Sequence, residues 1–140
     1  MVDSLKPGGW LVLEEPDFSA SRGITGGEQE LASLHKVNRA IEQMYAALRM
    51  DYAMGLKLPV LMQRRGLQCL TVENDVPLCM GGSGIATVMK MSTQQLREKY
   101  LATGVVEPSD LERYCRFADD PNACAIYYAT IAVSGRRAGV

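Results

Sequence analysis

The stretch Leu5-Lys6-Pro7-Gly8-Gly9-Trp10-Leu11-Val12-Leu13-Glu14-Glu15 decides the fold. Pro7-Gly8-Gly9 punctuates the chain as a turn. Trp10 to Leu13 then run apolar without a break and close on two carboxylates. A run of that kind suits a strand buried on both faces, as in the parallel sheets of α/β proteins. Such a strand needs paired neighbours and covering helices. Only nine residues precede Trp10, so both are sought downstream.

Outward from that strand, Pro16 to Gly27 reads as a polar loop. Thr25-Gly26-Gly27-Glu28 predicts a capping box, in which the Thr hydroxyl accepts from the Glu28 N–H and Glu28 reaches back. The helix it opens is predicted to run to about Met50. Leu31, Leu34, Val37, Ile41, Met44, Tyr45 and Leu48 share one broad face, and Lys36, Arg39, Glu42 and Gln43 lie away from it. Asp51 to Gly55 predicts a break. A second helix spans Leu56 to Arg65, with Pro59 tolerated only in its first turn and Gly66 at its left-handed cap.

Leu67 to Val76 reads as a strand and Pro77 to Gly84 as a loop. A helix begins near Ile85, restarts at a Ser92-x-x-Gln95 capping box and ends at Gly104. Pro108-Ser109-Asp110 opens a shorter helix through about Phe117, with Pro108 suited to the first helical position. Cys124 to Ser134 predicts a last strand, apolar on both faces and hence central. The chain is read as a single α/β domain over residues 1–140.

Composition narrows the function classes. A chain of 140 residues buries roughly two-thirds of its unfolded surface. The net charge of −1 comes without a basic patch, which argues against nucleic-acid binding driven by phosphate neutralisation. No apolar stretch is long enough to span a bilayer, and no signal-peptide pattern opens the chain. Cys69, Cys79, Cys115 and Cys124 are dispersed and the lone histidine is His35, so a structural metal site is not expected. Four free thiols fit a cytoplasmic protein. Cys69 and Cys124 fall in predicted strands and are expected to be buried.

Several of these segments, taken in order, resemble the carboxyl-terminal half of a class I S-adenosylmethionine-dependent methyltransferase. Leu5-Lys6-Pro7-Gly8-Gly9 and its strand resemble the turn before that family's fifth strand. Asp51-Tyr52-Ala53-Met54-Gly55-Leu56-Lys57-Leu58-Pro59-Val60-Leu61 resembles a D-x-x-x-G-x-x-L-P-x-L segment of one bacterial branch. Arg65-Gly66-Leu67 resembles the turn before the sixth strand. Ala125 to Arg137, closing Ser134-Gly135-Arg136-Arg137, resembles the last strand. The resemblance implies a partial Rossmann-like domain of three strands with helices, the last two strands antiparallel. The first strand would pair with the last, and the last with Leu67–Val76. It also implies that the cofactor-binding half, with its glycine-rich turn, is not in this chain. S-adenosylmethionine would then bind only if another chain complemented this one.

The candidate site residues follow from that placement. Ligands of doubly wound sheets sit outside the carboxyl ends of strands. Glu14, Glu15, Asp17 and Phe18 end the first strand, where the resembled family lines its acceptor pocket. The alternative is that the carboxylates are solvated strand ends. Met44, Tyr45 and Tyr52, with Met50 and Met54, form a soft apolar cluster that the resemblance places in a lid over the acceptor. Core or subunit-interface packing is the other reading. No catalytic residue is assigned.

Gly82-Ser83-Gly84-Ile85-Ala86-Thr87 imitates a nucleotide loop, but Thr87 departs from the fingerprint and no βαβ unit follows. A surface loop is the plainer reading. His35 is expected packed or solvated, and Arg136 and Arg137 solvated rather than an anion clamp.

Three functions compete. One is a truncated methyltransferase, the substrate side of the fold, inactive by itself and holding a small-molecule methyl acceptor. The second is a non-catalytic homodimeric interaction module. The third is a binding protein for some other small ligand. A homodimer is expected because Trp10–Leu13 would leave one strand edge unpaired. The long helix would add an apolar face that three strands do not cover, giving an interface above ~2,000 Å².

Overall fold

The computed structural model describes residues 1–139. Trp10–Asp17 forms the predicted first strand, β1. The elements that follow are β2 (Arg22–Thr25), α1 (Glu28–Ala47), α2 (Met54–Arg64), β3 (Leu67–Asp75), β4 (Cys79–Met80), α3 (Gly84–Gln95), α4 (Arg97–Leu101), α5 (Pro108–Asp119), β5 (Cys124–Ile126) and β6 (Ala129–Arg137). They build a mixed α/β architecture with two three-stranded sheets, ordered β1-β6-β3 and β2-β5-β4. Every neighbouring pair is antiparallel. β6 therefore lies between β1 and β3 and runs against both.

The second sheet corrects the sequence reading. β2 forms inside the stretch read as a polar loop, and β4 inside the Pro77–Gly84 loop. The single last strand predicted over Cys124–Ser134 is two strands, broken at Tyr127-Tyr128. Tyr127 is buried, while Tyr128 turns to stack on Phe18, with ring centroids 5.7 Å apart. The chain passes from one sheet to the other at these two residues, both of which pack on the first core. An apolar run carries no sign of that bend, because residues 124–133 are apolar or small on both sides of it.

Two apolar clusters result. In the first, α1 and α5 pack Leu34, Val37, Ala40 and Ile41 against Leu111, Tyr114 and Phe117, over the β2-β5-β4 sheet. The apolar face of α1 is thus covered from Leu34 to Ile41, while Met44 and Tyr45 are half-buried and Leu48 is exposed. In the second, Leu58 and Met62 of α2 cover Leu67, Ile131 and Val133 of the β1-β6-β3 sheet. Only one face of that sheet is covered. Leu11 and Leu13 are half-buried against α2, but Trp10 and Val12 are 55% and 67% exposed on the opposite face. The expectation that β1 is buried on both sides fails here.

Helix ends also differ from the reading. α1 starts after Gly27 without a side-chain cap, and the Thr25 hydroxyl donates instead to the Asn122 carbonyl at 3.4 Å. α2 begins two residues before the predicted Leu56, so Pro59 falls beyond its first turn. The missing N–H there leaves the Gly55 carbonyl without its usual helical donor. α3 runs through Ser92 without restarting.

α5 has a capping box between Glu107 and Asp110 that the sequence reading did not name. Asp110 is buried and accepts from the Glu107 N–H, the Ser33 hydroxyl and the Lys36 ammonium, all within 3.1 Å. Burial alone would push this carboxyl up. The Glu107 N–H, then Lys36 and Ser33, more than offset it and hold it below the usual carboxylate value. Arg136 and Arg137 are neither free nor an anion clamp. Arg136 donates to the Gly8 carbonyl at 2.8 Å, and Arg137 donates to the carbonyls of Asp3 and Leu5, tying the amino-terminal segment to β6. His35 is exposed on α1.

Cys69 overturns the burial expected of it. β3 carries an irregularity between Gln68 and Thr71, and Cys69 sits there at φ 52°, exposed. The extra residue interrupts the ladder and turns the thiol outward. Cys79 and Cys124 are buried and Cys115 is half-buried. Burial pushes the Cys79 and Cys115 thiols up. Thiol labelling of the native protein is therefore expected to give one fast cysteine, lost in Cys69→Ser, with Cys79 and Cys124 reacting only on opening. A fast thiol remaining in Cys69→Ser would contradict this placement.

Candidate functional site

The carboxyl end of β1 divides its four candidate residues by strand alternation. Glu14 points to the open face of the sheet. Glu15 and Asp17 fall on the covered side, half-buried and buried respectively.

Asp17 is 1% exposed, and both of its oxygens are engaged within the chain. One of its oxygens accepts from the Ser19 N–H at 3.1 Å and from the Ser19 hydroxyl. The other accepts from the Leu56 N–H at 3.2 Å. Leu56 lies in the first turn of α2, whose own flanking residue Ala53 offers no side-chain cap. Asp17 thus serves as a remote cap, placing a carboxylate at the positive end of a helix.

Phe18 begins the turn after β1, its N–H held by the Tyr52 carbonyl at 3.0 Å. Its ring packs between Tyr45 of α1, at 5.6 Å, and Tyr128, at 5.7 Å, both tilted. Such pairs add about 1 kcal/mol each beyond their buried area. Burial raises the Tyr45 phenol, with the Glu15 charge adding to it. Burial, then Glu42, raises that of Tyr52. Both stay protonated at neutral pH.

Phe18 and Glu14 line a groove of about 370 Å³ between the end of β1 and α3. Pro16, Tyr128 and Thr130 complete its sheet side, and Val88, Met89 and Ser92 its helix side. The groove offers aromatic rings, a thioether, three hydroxyls and one exposed carboxylate. That set suits a small, largely apolar molecule carrying a hydrogen-bond donor or a positive charge.

The other candidates do not converge on the groove. Tyr45 reaches it only through the Phe18 ring. Met44 lines a different groove, also about 370 Å³, with Leu48, Lys99 and Thr103. Tyr52 contributes a backbone carbonyl. The soft cluster is divided: Met44 and Tyr45 pack on the first core, Met54 on the second, and Met50 is exposed. A groove of about 450 Å³ at the β3 irregularity brings a thiol, Cys69, but no carboxylate or imidazole.

The sequence reading missed the helix side of the site. Val88 and Ser92 are four residues apart, and Met89 and Ser92 three, so all share a helical face. That spacing was available, but nothing in it pointed toward Phe18. Tyr128 was hidden inside an apparent strand.

The Gly82–Gly84 loop is spent locally. The Ser83 hydroxyl accepts from the Ala86 N–H at 3.4 Å and caps α3. The strand before it, β4, is a two-residue antiparallel edge and not the parallel strand of a βαβ unit. This loop does not fit the binding of S-adenosylmethionine. Among the described residues no cluster of histidine, cysteine or carboxylates could hold a metal ion. No helix among them is long and apolar enough to cross a membrane. No family model matches the sequence, and no curated protein matches it.

Proposed function

We propose that this chain is the acceptor side of an S-adenosylmethionine-dependent methyltransferase fold, and that the Glu14–Phe18–Ser92 groove holds a small methyl acceptor. One observation supports the reading above others. β6 is inserted antiparallel between β1 and β3, which makes β1 and β3 parallel to each other. This is the strand order that the resemblance implies for the last strands of that fold. The groove lies at the carboxyl end of β1, where the ligands of such sheets bind. Glu14 would accept a hydrogen bond from the acceptor and orient it, while Phe18 and Tyr128 hold its apolar part. No transfer step is assigned to these residues, because the Gly82–Gly84 loop is occupied in capping α3.

A non-catalytic interaction module is the second reading. It is favoured by the exposure of Trp10 and Val12 on β1.

Calorimetric titration of the chain with S-adenosylmethionine and S-adenosylhomocysteine tests the first reading. No binding heat is expected up to millimolar ligand. Among the described residues no helix amino terminus is fed by a strand hydrogen-bonded parallel to its neighbour, the cradle such a cofactor uses. One-to-one binding with a micromolar Kd would overturn the assignment of this chain to the acceptor side alone.

A further inference from the structure

The outer edge of β1 is unpaired among the described residues. Its phase is fixed by two bonds. The Arg137 N–H donates to the Gly9 carbonyl at 2.8 Å, so odd-numbered residues of β1 point their backbone groups at β6. The Phe18 N–H, in the even phase, donates away from β6 to the Tyr52 carbonyl. The N–H groups of Trp10, Val12 and Glu14 therefore face outward. So do the carbonyls of these residues and of Pro16.

The open face of the same sheet has a polarity along the strands. Trp10 lies opposite Arg136 at one end. At the other, Glu14 lies opposite Ala132, which lies opposite Glu73, and the next row holds Pro16, Thr130 and Asp75. One end is thus basic and aromatic, and the other acidic. An antiparallel second copy brings unlike ends together, whereas a parallel one sets like against like.

We propose that two copies of this chain pair through β1, antiparallel and centred on Val12, to form one continuous sheet across the two-fold axis. In that register Trp10 faces the partner subunit's Glu14, and Val12 faces its own copy. All three outward N–H groups of each chain find carbonyls. Glu14 also lies in the row that carries the partner subunit's Arg136, one strand beyond Trp10. Neighbouring registers are worse. Centring on Leu13 still gives the three N–H groups carbonyls, but it sets Trp10 against Pro16, which has no N–H for the Trp10 carbonyl, and moves Glu14 out of the row of the partner subunit's Trp10 and Arg136. Centring on Leu11 sets Glu14 against Gly8, whose N–H already donates to the Arg137 carbonyl. Centring on Glu14 opposes two carboxylates. Edge pairing makes a small interface, so the association is transient rather than obligate.

The register is tested by cross-linking in a Cys69→Ser background, which removes the exposed native thiol. A hydrogen-bonded antiparallel pair holds its Cα atoms about 5.5 Å apart, within the range a disulfide spans. Val12→Cys is thus expected to give a covalent dimer under mild oxidation, roughly tenfold faster than Glu14→Cys. The double variant Trp10→Cys/Glu14→Cys should recover the fast rate. These positions are exposed, so the substitutions leave the fold intact. Sedimentation equilibrium of the wild type at roughly 100 µM, a concentration suited to a small interface, should give a mass approaching twice 15.3 kDa. A monomer at that concentration, or Glu14→Cys cross-linking as fast as Val12→Cys, would overturn the proposal. Cofactor titration reads neither quantity, so failure of the acceptor reading and failure of this one are distinguishable.

Discussion

Gly81→Ala is expected to destabilise the protein by about 3 kcal/mol, which for a chain of this size lowers Tm by roughly 10 °C. A Cβ built on Gly81 lies 2.0 Å from the Asp120 carbonyl oxygen, 2.5 Å from its carbon and 2.8 Å from the Asp120 nitrogen. All three are backbone atoms, so no side chain can swing aside. Nor can the backbone shift cheaply. The Asp120 carbonyl accepts from the Ala123 N–H at 3.0 Å, and the Asp120 N–H closes the last turn of α5. On the other side, the Gly81 N–H donates to Ala123 at 3.0 Å and the Gly82 N–H to Ala118 at 2.8 Å. The substitution pries β4 from the end of α5, where the first core closes. Gly82→Ala is the control. Gly82 has φ +78° but open space around its Cβ position, so only the left-handed backbone term of about 1 kcal/mol applies. Urea unfolding followed by circular dichroism measures both. A Gly81→Ala variant within 0.5 kcal/mol of wild type, on the scale of an ordinary surface change, would refute the close contact.

The elements legible in the sequence are those whose signals are local. The long apolar stripe of α1, the Gly66 cap and Pro108 at the start of α5 are each read from neighbouring residues, and each stands where it was read. The pairing of β1 with β6 and of β6 with β3 followed from the resemblance rather than from any periodicity. What failed depended on distant partners. β2 and β4 are short, polar-flanked strands made by pairing with β5, and nothing within four or two residues announces them. The thiol of Cys69 points outward because of an irregularity in β3 that becomes visible only against β6. Thr25 and Ser92 carry capping sequences, but tertiary bonds and helix continuity override them.

The candidate site was legible in part for the same reason. Position at the end of a strand put Glu14 and Phe18 at the groove. Strand alternation, which the continuous apolar run obscured, sent Glu15 and Asp17 to the other side. The helix half of the groove belongs to α3, more than sixty residues away from Glu14 in sequence, and no local pattern joins the two.

Asp17→Ala separates a structural carboxylate from a ligand-facing one, and it is expected to cost about 3 kcal/mol of stability. The side chain is buried and each oxygen has its own donor, Ser19 on one and Leu56 on the other. Removing it leaves the Leu56 N–H, in the first turn of α2, without its acceptor. It also leaves the Ser19 N–H and hydroxyl without the oxygen that accepts from both. Asp17→Asn recovers little, since an amide supplies one acceptor oxygen and turns an NH₂ donor toward the second N–H. The loss falls on the docking of α2, and through Leu58 and Met62 on the whole second core. Glu14→Gln behaves oppositely. Its side chain is exposed on the open face, so stability stays within about 0.5 kcal/mol of wild type. Under the acceptor reading, the loss appears as weakened binding of a cationic or hydrogen-bond-donating ligand in the groove. Thermal melts of the two variants, run beside ligand titrations, resolve the roles. A stable Asp17→Ala protein that had lost ligand binding would reverse the assignment and return Asp17 to the site.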